Sequence, residues 1–243
     1  MLKSFGYLFL RVVFLIFHFF YFSAKGKHFN VFESNNFCGF VRIFLIRHGE
    51  TTGDVEERYG GDYDDSLSEK GILQAHKLSE KLNGRDIKKI FVSPKSRAVE
   101  TALILKKKAF FELVSVNDLR ERNQYGVMTG MVKSEAKKKF SDQVEELEAN
   151  NPYHRVLGSE DYFVFAERVT GAFNRIVKEE FGKKEKAIAF VTHGGPITVI
   201  FREVLGFEIR GIKDCALFEL KYDGDGFEII SAEDAEKIES VFS

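Results

Sequence analysis

From residue 41 onward the chain alternates short apolar runs with longer stretches of helical period. Residues 43–46 (Ile-Phe-Leu-Ile) and 187–192 (Ala-Ile-Ala-Phe-Val-Thr) are almost continuously apolar. Runs of that length and kind are strands buried on both faces. Residues 89–92 and 112–116 are two further short strands. Between them, 68–82 sets Ile72, Ala75, Leu78 and Leu82 on one helical face. Ser93-Pro94 reads as an N-cap serine with proline in the first helical position, opening a helix that runs through Leu105. Residues 133–149 form a charged surface helix. In 161–181, Tyr162, Phe165, Ala166, Val169, Phe173, Ile176 and Val177 recur at the spacing of a core-packing helix. His193-Gly194-Gly195-Pro196 turns the chain into a helix ending near Leu205, and 216–222 with 227–230 pair as a hairpin across Asp223-Gly224-Asp225-Gly226. Strand and helix in alternation make an α/β domain over 41–243.

The first forty residues break this pattern. They hold eleven of the 26 phenylalanines, four Lys or Arg, and one acid, Glu33. An apolar run at 12–22 follows Lys3 and Arg11, but it is short of the roughly 20 residues a membrane span needs. Phe22-Ser23-Ala24 lacks the small-x-small pattern of a cleavage site. Three readings stand: an uncleaved anchor, a secretory signal with a poor cleavage site, or a protein that starts at Val41 with the preceding codons untranslated. The expected location is cytoplasmic, with membrane contact only if residues 1–25 form a real anchor.

A length of 243 residues suits one domain with a sizeable core. A net charge of −1 supplies no basic field for nucleic acid. Two cysteines, Cys38 and Cys215, make no disulfide framework, and Cys215 reads as a small buried residue in a strand. His18, His28, His76 and His154 form no metal-ligand spacing.

Chemistry gathers where apolar runs end. Arg47-His48-Gly49 follows one strand and His193-Gly194-Gly195 another, at the edge where open α/β sheets bind ligands. Arg97 falls in the first turn of a helix, a poor place for a cation unless an anion binds there. Arginine offers a planar fork to a phosphoryl group, and histidine carries a nucleophile or a proton near neutral pH. Arg47, His48, Arg97 and His193 together would make a compact cationic pocket.

Arg47-His48-Gly49-Glu50-Thr51, Ser93-Pro94 with Arg97-Ala98 and Glu100-Thr101-Ala102, Leu119-Arg120-Glu121-Arg122, and Thr192-His193-Gly194-Gly195 occur in that order. In this the chain resembles the histidine phosphatase superfamily, which includes cofactor-dependent phosphoglycerate mutases. The resemblance covers Val41 to about Tyr222. It implies a phosphoglycerate mutase-like three-layer α/β/α sandwich with a mostly parallel central sheet. It further implies that His48 is the nucleophile that becomes phosphohistidine. Arg47, Arg97 and His193 would grip the phosphoryl oxygens, and Glu121 would protonate the leaving oxygen. Gly194 is similar to a backbone donor and Thr51 to a hydroxyl contact, with Asp54, Gly60, Gly61 and Lys133 as further substrate-binding positions. The implied activity is metal-independent hydrolysis of a small phosphorylated substrate, with no cofactor. The alternative is a mutase primed by 2,3-bisphosphoglycerate, and a third reading is a pocket that binds phosphorylated ligands without turnover.

Two departures from the family pattern bear on this. Asp54 stands where the loop usually carries asparagine, so it must pair with a cation such as Arg58 or Lys95, turn away, or take up a proton. The stretch Glu121-Arg122-Asn123-Gln124-Tyr125-Gly126 is one residue longer than in mutase-like members, which would re-aim the loop behind Glu121. Lys133 favours a mutase. The short segment between Glu121 and His193, where Arg155 stands alone, and Gly158-Ser159-Glu160-Asp161-Tyr162 favour a hydrolase.

Overall fold

The computed structural model describes residues 39–106, 111–148, 153, 156–183 and 187–241. The expectations for the amino-terminal segment fall on 1–38, outside the described residues, as do Cys38, His18, His28 and His154.

Among the described residues, eight strands are formed: β1 (Val41–Arg47), β2 (Lys89–Val92), β3 (Glu112–Ser115), β4 (Ala187–Thr192), β5 (Phe207–Arg210), β6 (Leu217–Tyr222), β7 (Phe227–Glu233) and β8 (Lys237–Ser240). The main sheet has the order β3-β2-β4-β1-β6-β7. Its first four strands are parallel, and β6 and β7 extend it antiparallel. The helices are α1 (Thr52–Val55), α2 (Glu69–Lys81), α3 (Ser96–Lys106), α4 (Lys133–Lys139), α5 (Ser141–Glu148), α6 (Tyr162–Glu180) and α7 (Gly194–Val199), the last widening into a π-turn over Ile200–Leu205.

Pleating sends alternate residues to opposite faces. Ile43 and Leu45 of β1 join Phe190 of β4 and Phe165, Val169 and Phe173 of α6 in one core. Phe44 and Ile46 join Ala189 and Val191 with Ala75 and Leu78 of α2 and Ala98 and Ala102 of α3 in the other. Helices thus cover both faces of a mixed sheet, which is the expected α/β/α sandwich. Every residue of β4 is buried, as its unbroken apolar run requires.

The structure corrects three local expectations and adds one strand pair. The helix after Ser93-Pro94 begins at Ser96, and its first N–H groups go to Asp64 Oδ1 and the Asp65 carbonyl rather than to Ser93. The charged stretch 133–149 is two helices, α4 and α5, broken at Phe140, whose φ of −137° leaves the helical region. Cys215 lies in the turn before β6 with a φ of +56° rather than in a strand, although it is buried as expected. The antiparallel pair β5-β8 has half-exposed, charge-rich strands and no apolar run to announce it.

Candidate active site

β1 and β4 are parallel neighbours in a register that sets Arg47 opposite Thr192. The next residues, His48 and His193, therefore leave the sheet side by side, with ring centroids 5.0 Å apart. The backbone behind His48 is held by three elements. His48 N–H donates to the Thr192 carbonyl at 3.0 Å, and its carbonyl accepts from Cys215 N–H at 3.1 Å. Gly49 N–H donates to Thr101 Oγ1 at 3.3 Å. Gly49 is also packed on α2: a Cβ there would sit 2.7 Å from the Gly71 carbonyl oxygen, so only glycine fits.

The hydrogen bonds fix the tautomers of both imidazoles. His48 Nδ1 lies 2.7 Å from the Gly49 carbonyl oxygen, which can only accept, so Nδ1 carries the proton. Its Nε2 faces Arg97 Nε at 3.1 Å, which can only donate, so Nε2 presents a lone pair. The same Arg97 N–H reaches His193 Nδ1 at 3.2 Å. His193 Nε2–H then donates to Ser93 Oγ at 2.8 Å, an oxygen that also accepts from Lys95 N–H at 3.4 Å just ahead of α3. Burial, then the charges of Arg97 and Arg47, hold the His48 pKa well below 6.5. Burial and Arg97 do the same to His193. His48 consequently stays neutral into acid. The acid limb of kcat/KM attributable to it is expected below pH 6.5, and a pH–rate profile with that limb at or above 6.5 would contradict a neutral His48 at that pH.

Arg97 is almost fully committed. Its Nη1 donates to Asp65 Oδ1 at 2.7 Å and to the Tyr63 carbonyl at 2.6 Å, and its Nη2 to the Gly61 carbonyl at 2.9 Å. Both side chains of the Asp65–Arg97 pair are 4% exposed, so each charge depends on the other. Arg47 is held differently. Its Nη1 donates to the Ile212 carbonyl and its Nη2 pairs with Asp214 Oδ1 at 3.1 Å, while its Nε is buried without a hydrogen-bond partner in the protein. Burial raises the Asp214 pKa and the neighbouring Arg47 opposes that rise.

Glu121 reaches the same cleft from the loop after β3. Its Oε2 accepts from Gly195 N–H at 2.9 Å, at the start of α7, and its Oε1 from Arg122 N–H at 2.8 Å. The extra residue in this loop does not leave it loose. Asn123 Oδ1 accepts from Gly126 N–H at 3.1 Å and from Thr129 Oγ1 at 2.7 Å. Arg168 of α6 donates to the carbonyls of Asp118, Arg120 and Glu121, and its guanidinium is itself held by both oxygens of Glu160. That planar fork pins the segment that delivers Glu121.

The sequence-predicted positions Arg47, His48, Thr51, Asp54, Gly60, Gly61, Arg97, Glu121, Lys133 and Gly194 all line one cleft of about 310 Å³. His193 stands immediately behind it, fully buried. Lys133 opens α4 at the exposed rim. Gly61 has a φ of +57° and gives Arg97 its carbonyl, whereas a side chain at Gly60 would meet open space. Asp54 turns away from the cations named for it. Its Oδ2 accepts from Thr51 N–H at 3.0 Å and Thr51 Oγ1 at 2.9 Å, a capping box that closes α1. Arg58 pairs instead with Glu56, and Lys95 with Asp62. Asp54→Asn keeps an acceptor for Thr51 and removes a negative charge from the cleft wall. Its inhibition constant for inorganic phosphate is expected to fall about two- to fivefold, and an unchanged or higher constant would show that the charge is not felt there.

Two residues at the site carried no motif signal: Asp65 lines the cleft and Asp214 lies directly behind it on Arg47. Ser93, Gln124 and Tyr125 stood in the motifs without an assigned role, and lie behind or in the cleft. Tyr125 is held against Tyr59, with ring centroids 4.7 Å apart, and burial followed by the Glu121 charge pushes its hydroxyl up to about 12.

Residues 43–235 match the sequence model of the histidine phosphatase superfamily (branch 1). The chain belongs to the histidine phosphatase superfamily. A metal-independent phosphoserine phosphatase of Arabidopsis thaliana is 31% identical over 168 residues, covering 68% of each chain. A broad-specificity phosphatase of Saccharomyces cerevisiae is 34% identical over 167 residues, covering 67% of this chain and 69% of its own. The fold of this histidine phosphatase is also that of a phosphoglycerate mutase from Bacillus anthracis, at a TM-score of 0.63 and 24% identity over 80% of this chain and 93% of the other. Among the described residues, no helix is long and apolar enough to cross a membrane.

Proposed function

We propose that this protein is a metal-independent phosphomonoesterase working through a phosphohistidine on His48, on small phosphorylated molecules. The observation that carries this reading is the unprotonated His48 Nε2 at the cleft, whose lone pair accepts from Arg97 Nε–H at 3.1 Å in the resting site, with the Glu121 carboxyl lining the same cleft. His48 Nε2 attacks phosphorus while the ester oxygen leaves in line with it. As His48 Nε2 attacks, the Arg97 Nε–H gives up its bond to that nitrogen and, with Arg47 Nε–H and the second hydrogen of Arg97 Nη2, meets the charge on the equatorial oxygens. His193, anchored by Ser93, keeps Arg97 Nε between the two rings. Glu121, set against Gly195 N–H, gives its proton to the departing oxygen. It then takes one from the water that frees His48. Nucleophile, acid and counter-charges all come from the chain, so the proposed reaction needs neither metal nor cofactor. Relatives named as phosphatases support hydrolysis over transfer.

Incubation with p-nitrophenyl phosphate in a chelator, and separately with 3-phosphoglycerate with and without 2,3-bisphosphoglycerate, tests the proposal. Chelator-resistant phosphate release is the expected result. Isomerisation that depends on the bisphosphate would replace it with the mutase reading, for which Lys133 at the rim is the one favourable contact. Phosphate binding without turnover would replace both with a binding module.

A further inference from the structure

Resting on that reading, we propose that Asp214 is a positioning residue: with the Ile212 carbonyl it holds the two terminal nitrogens of Arg47, so that the remaining Nε–H is aimed at the phosphoryl group in transfer. Three observations converge. Arg47 Nη1 donates to the Ile212 carbonyl, and Nη2 meets Asp214 Oδ1 at 3.1 Å. Arg47 Nε is buried with no partner in the protein, and a Cβ on Gly194 would lie 4.0 Å from it, which sets Nε beside the start of α7 on the cleft wall. Finally, the turn that carries Asp214 is over-determined. Lys213 N–H is tied to the Asp234 carbonyl at 2.9 Å, Ala216 N–H to the Lys213 carbonyl at 3.1 Å, Cys215 N–H to the His48 carbonyl at 3.1 Å, and Arg47 N–H to the Ala216 carbonyl at 3.1 Å. Within it Cys215 is held at a φ of +56°, a conformation that non-glycine residues keep only where the surroundings impose it.

The turn therefore grips Arg47 and His48 together, by backbone and by side chain. Asp65 plays the matching part for Arg97, with its carboxylate on Nη1 at 2.7 Å. Asp214 itself is reached from a separate cleft behind Arg47, lined also by Lys70, Gln74 and Lys213, so its role is exerted through Arg47 and not on the substrate. A guanidinium fixed at both Nη atoms can swing its Nε–H very little. Anion binding in the ground state depends mainly on the charge of Arg47, whereas stabilising a trigonal-bipyramidal phosphoryl group depends on where the donor points.

The test compares wild type, Asp214→Ala and Asp214→Asn as full-length proteins. It reads kcat on p-nitrophenyl phosphate, dissociation constants for inorganic phosphate and for vanadate, and the thermal midpoint. Vanadate mimics the five-coordinate geometry and needs no turnover. In Asp214→Ala, vanadate affinity and kcat are expected to fall about 10- to 100-fold while phosphate affinity stays within about threefold. Asp214→Asn, whose amide oxygen still accepts from Nη2, is expected to restore both to within about fivefold of wild type. If Asp214→Ala does not fold, Asp214→Ser removes the same anchor and is read in its place. The proposal is overturned if the folded variant keeps wild-type vanadate affinity. It is equally overturned if vanadate and phosphate affinity fall together, or if Asp214→Asn restores nothing. A wild type that binds both anions yet hydrolyses no ester rejects the phosphatase reading alone, and the vanadate comparison still decides the part played by Asp214.

Discussion

His48→Ala is expected to lower kcat/KM for p-nitrophenyl phosphate by at least about 10⁴-fold, because it removes the group placed to form the covalent intermediate. Among the described residues at the cleft, Arg97 and Arg47 are cationic donors and Glu121 is held against Gly195 N–H, while the Ser93 hydroxyl behind it is engaged by His193. None of them offers a second nucleophile on the phosphoryl side. The two arginines and His193 survive the substitution, so inorganic phosphate is expected to bind within about threefold of wild type. That separation of binding from chemistry is the informative part. Steady-state kinetics and phosphate titration by ³¹P nuclear magnetic resonance check it on one preparation, with circular dichroism to confirm folding. Residual turnover above about 1% would mean that water attacks directly, with His48 a mere phosphate contact.

The second large effect is expected from a single methyl group. A Cβ on Gly195 would lie 2.0 Å from Glu121 Oε1 and 3.0 Å from its Cδ. Gly195 sits in the first turn of α7, whose following residues Pro196 and Ile197 are buried, so the helix cannot retreat. Glu121 must move instead, and with it goes the 2.9 Å bond from Gly195 N–H. Loss of a positioned general acid costs most where the leaving oxygen is basic. Gly195→Ala is therefore expected to lower kcat/KM by about 10²- to 10³-fold for an alkyl ester such as β-glycerophosphate. For p-nitrophenyl phosphate, whose leaving group departs without a proton, the loss is expected to be only about tenfold. Equal losses on both esters would show that Glu121 has a task other than proton donation.

The candidate site was largely legible because its residues sit where strands end. An apolar run that stops at Arg47-His48-Gly49, and another at His193-Gly194, fix both the element and the point of exit, and parallel pairing of β1 with β4 does the rest. Arg97 stood out as a cation in the first turn of a helix. Its explanation was only partly visible: the charge is met by Asp65 as well as by the two imidazoles. Asp65 lies in a run of acids, Asp62-Tyr63-Asp64-Asp65, and nothing local distinguishes the one that is buried.

Asp54 shows the limit from the other side. Electrostatics alone asked for a neighbouring cation, yet the capping box with Thr51 satisfies the carboxylate locally, and caps depend on backbone geometry that a residue list does not carry. Ser93 failed for a related reason. Serine before proline is a sound N-cap signal, but the first N–H groups of the helix find Asp64 and the Asp65 carbonyl from 32 residues away, and Ser93 Oγ takes Lys95 N–H and His193 instead. The break between α4 and α5 at Phe140 and the pairing of β5 with β8 belong to the same class. Each is decided by tertiary contacts of half-exposed segments, where hydrophobic period is weak. Asp214 and Arg168 act through other residues, and no spacing in the sequence ties either to Arg47 or to Glu121.

Wild-type protein mixed with excess p-nitrophenyl phosphate in a chelator, quenched in base within milliseconds and digested for mass spectrometry, addresses the covalent intermediate itself. A phosphoryl group on the peptide carrying His48, absent from His48→Ala and formed without added metal, is the predicted result. Turnover that leaves His48 unmodified, or that stops when divalent metal is removed, would contradict the account.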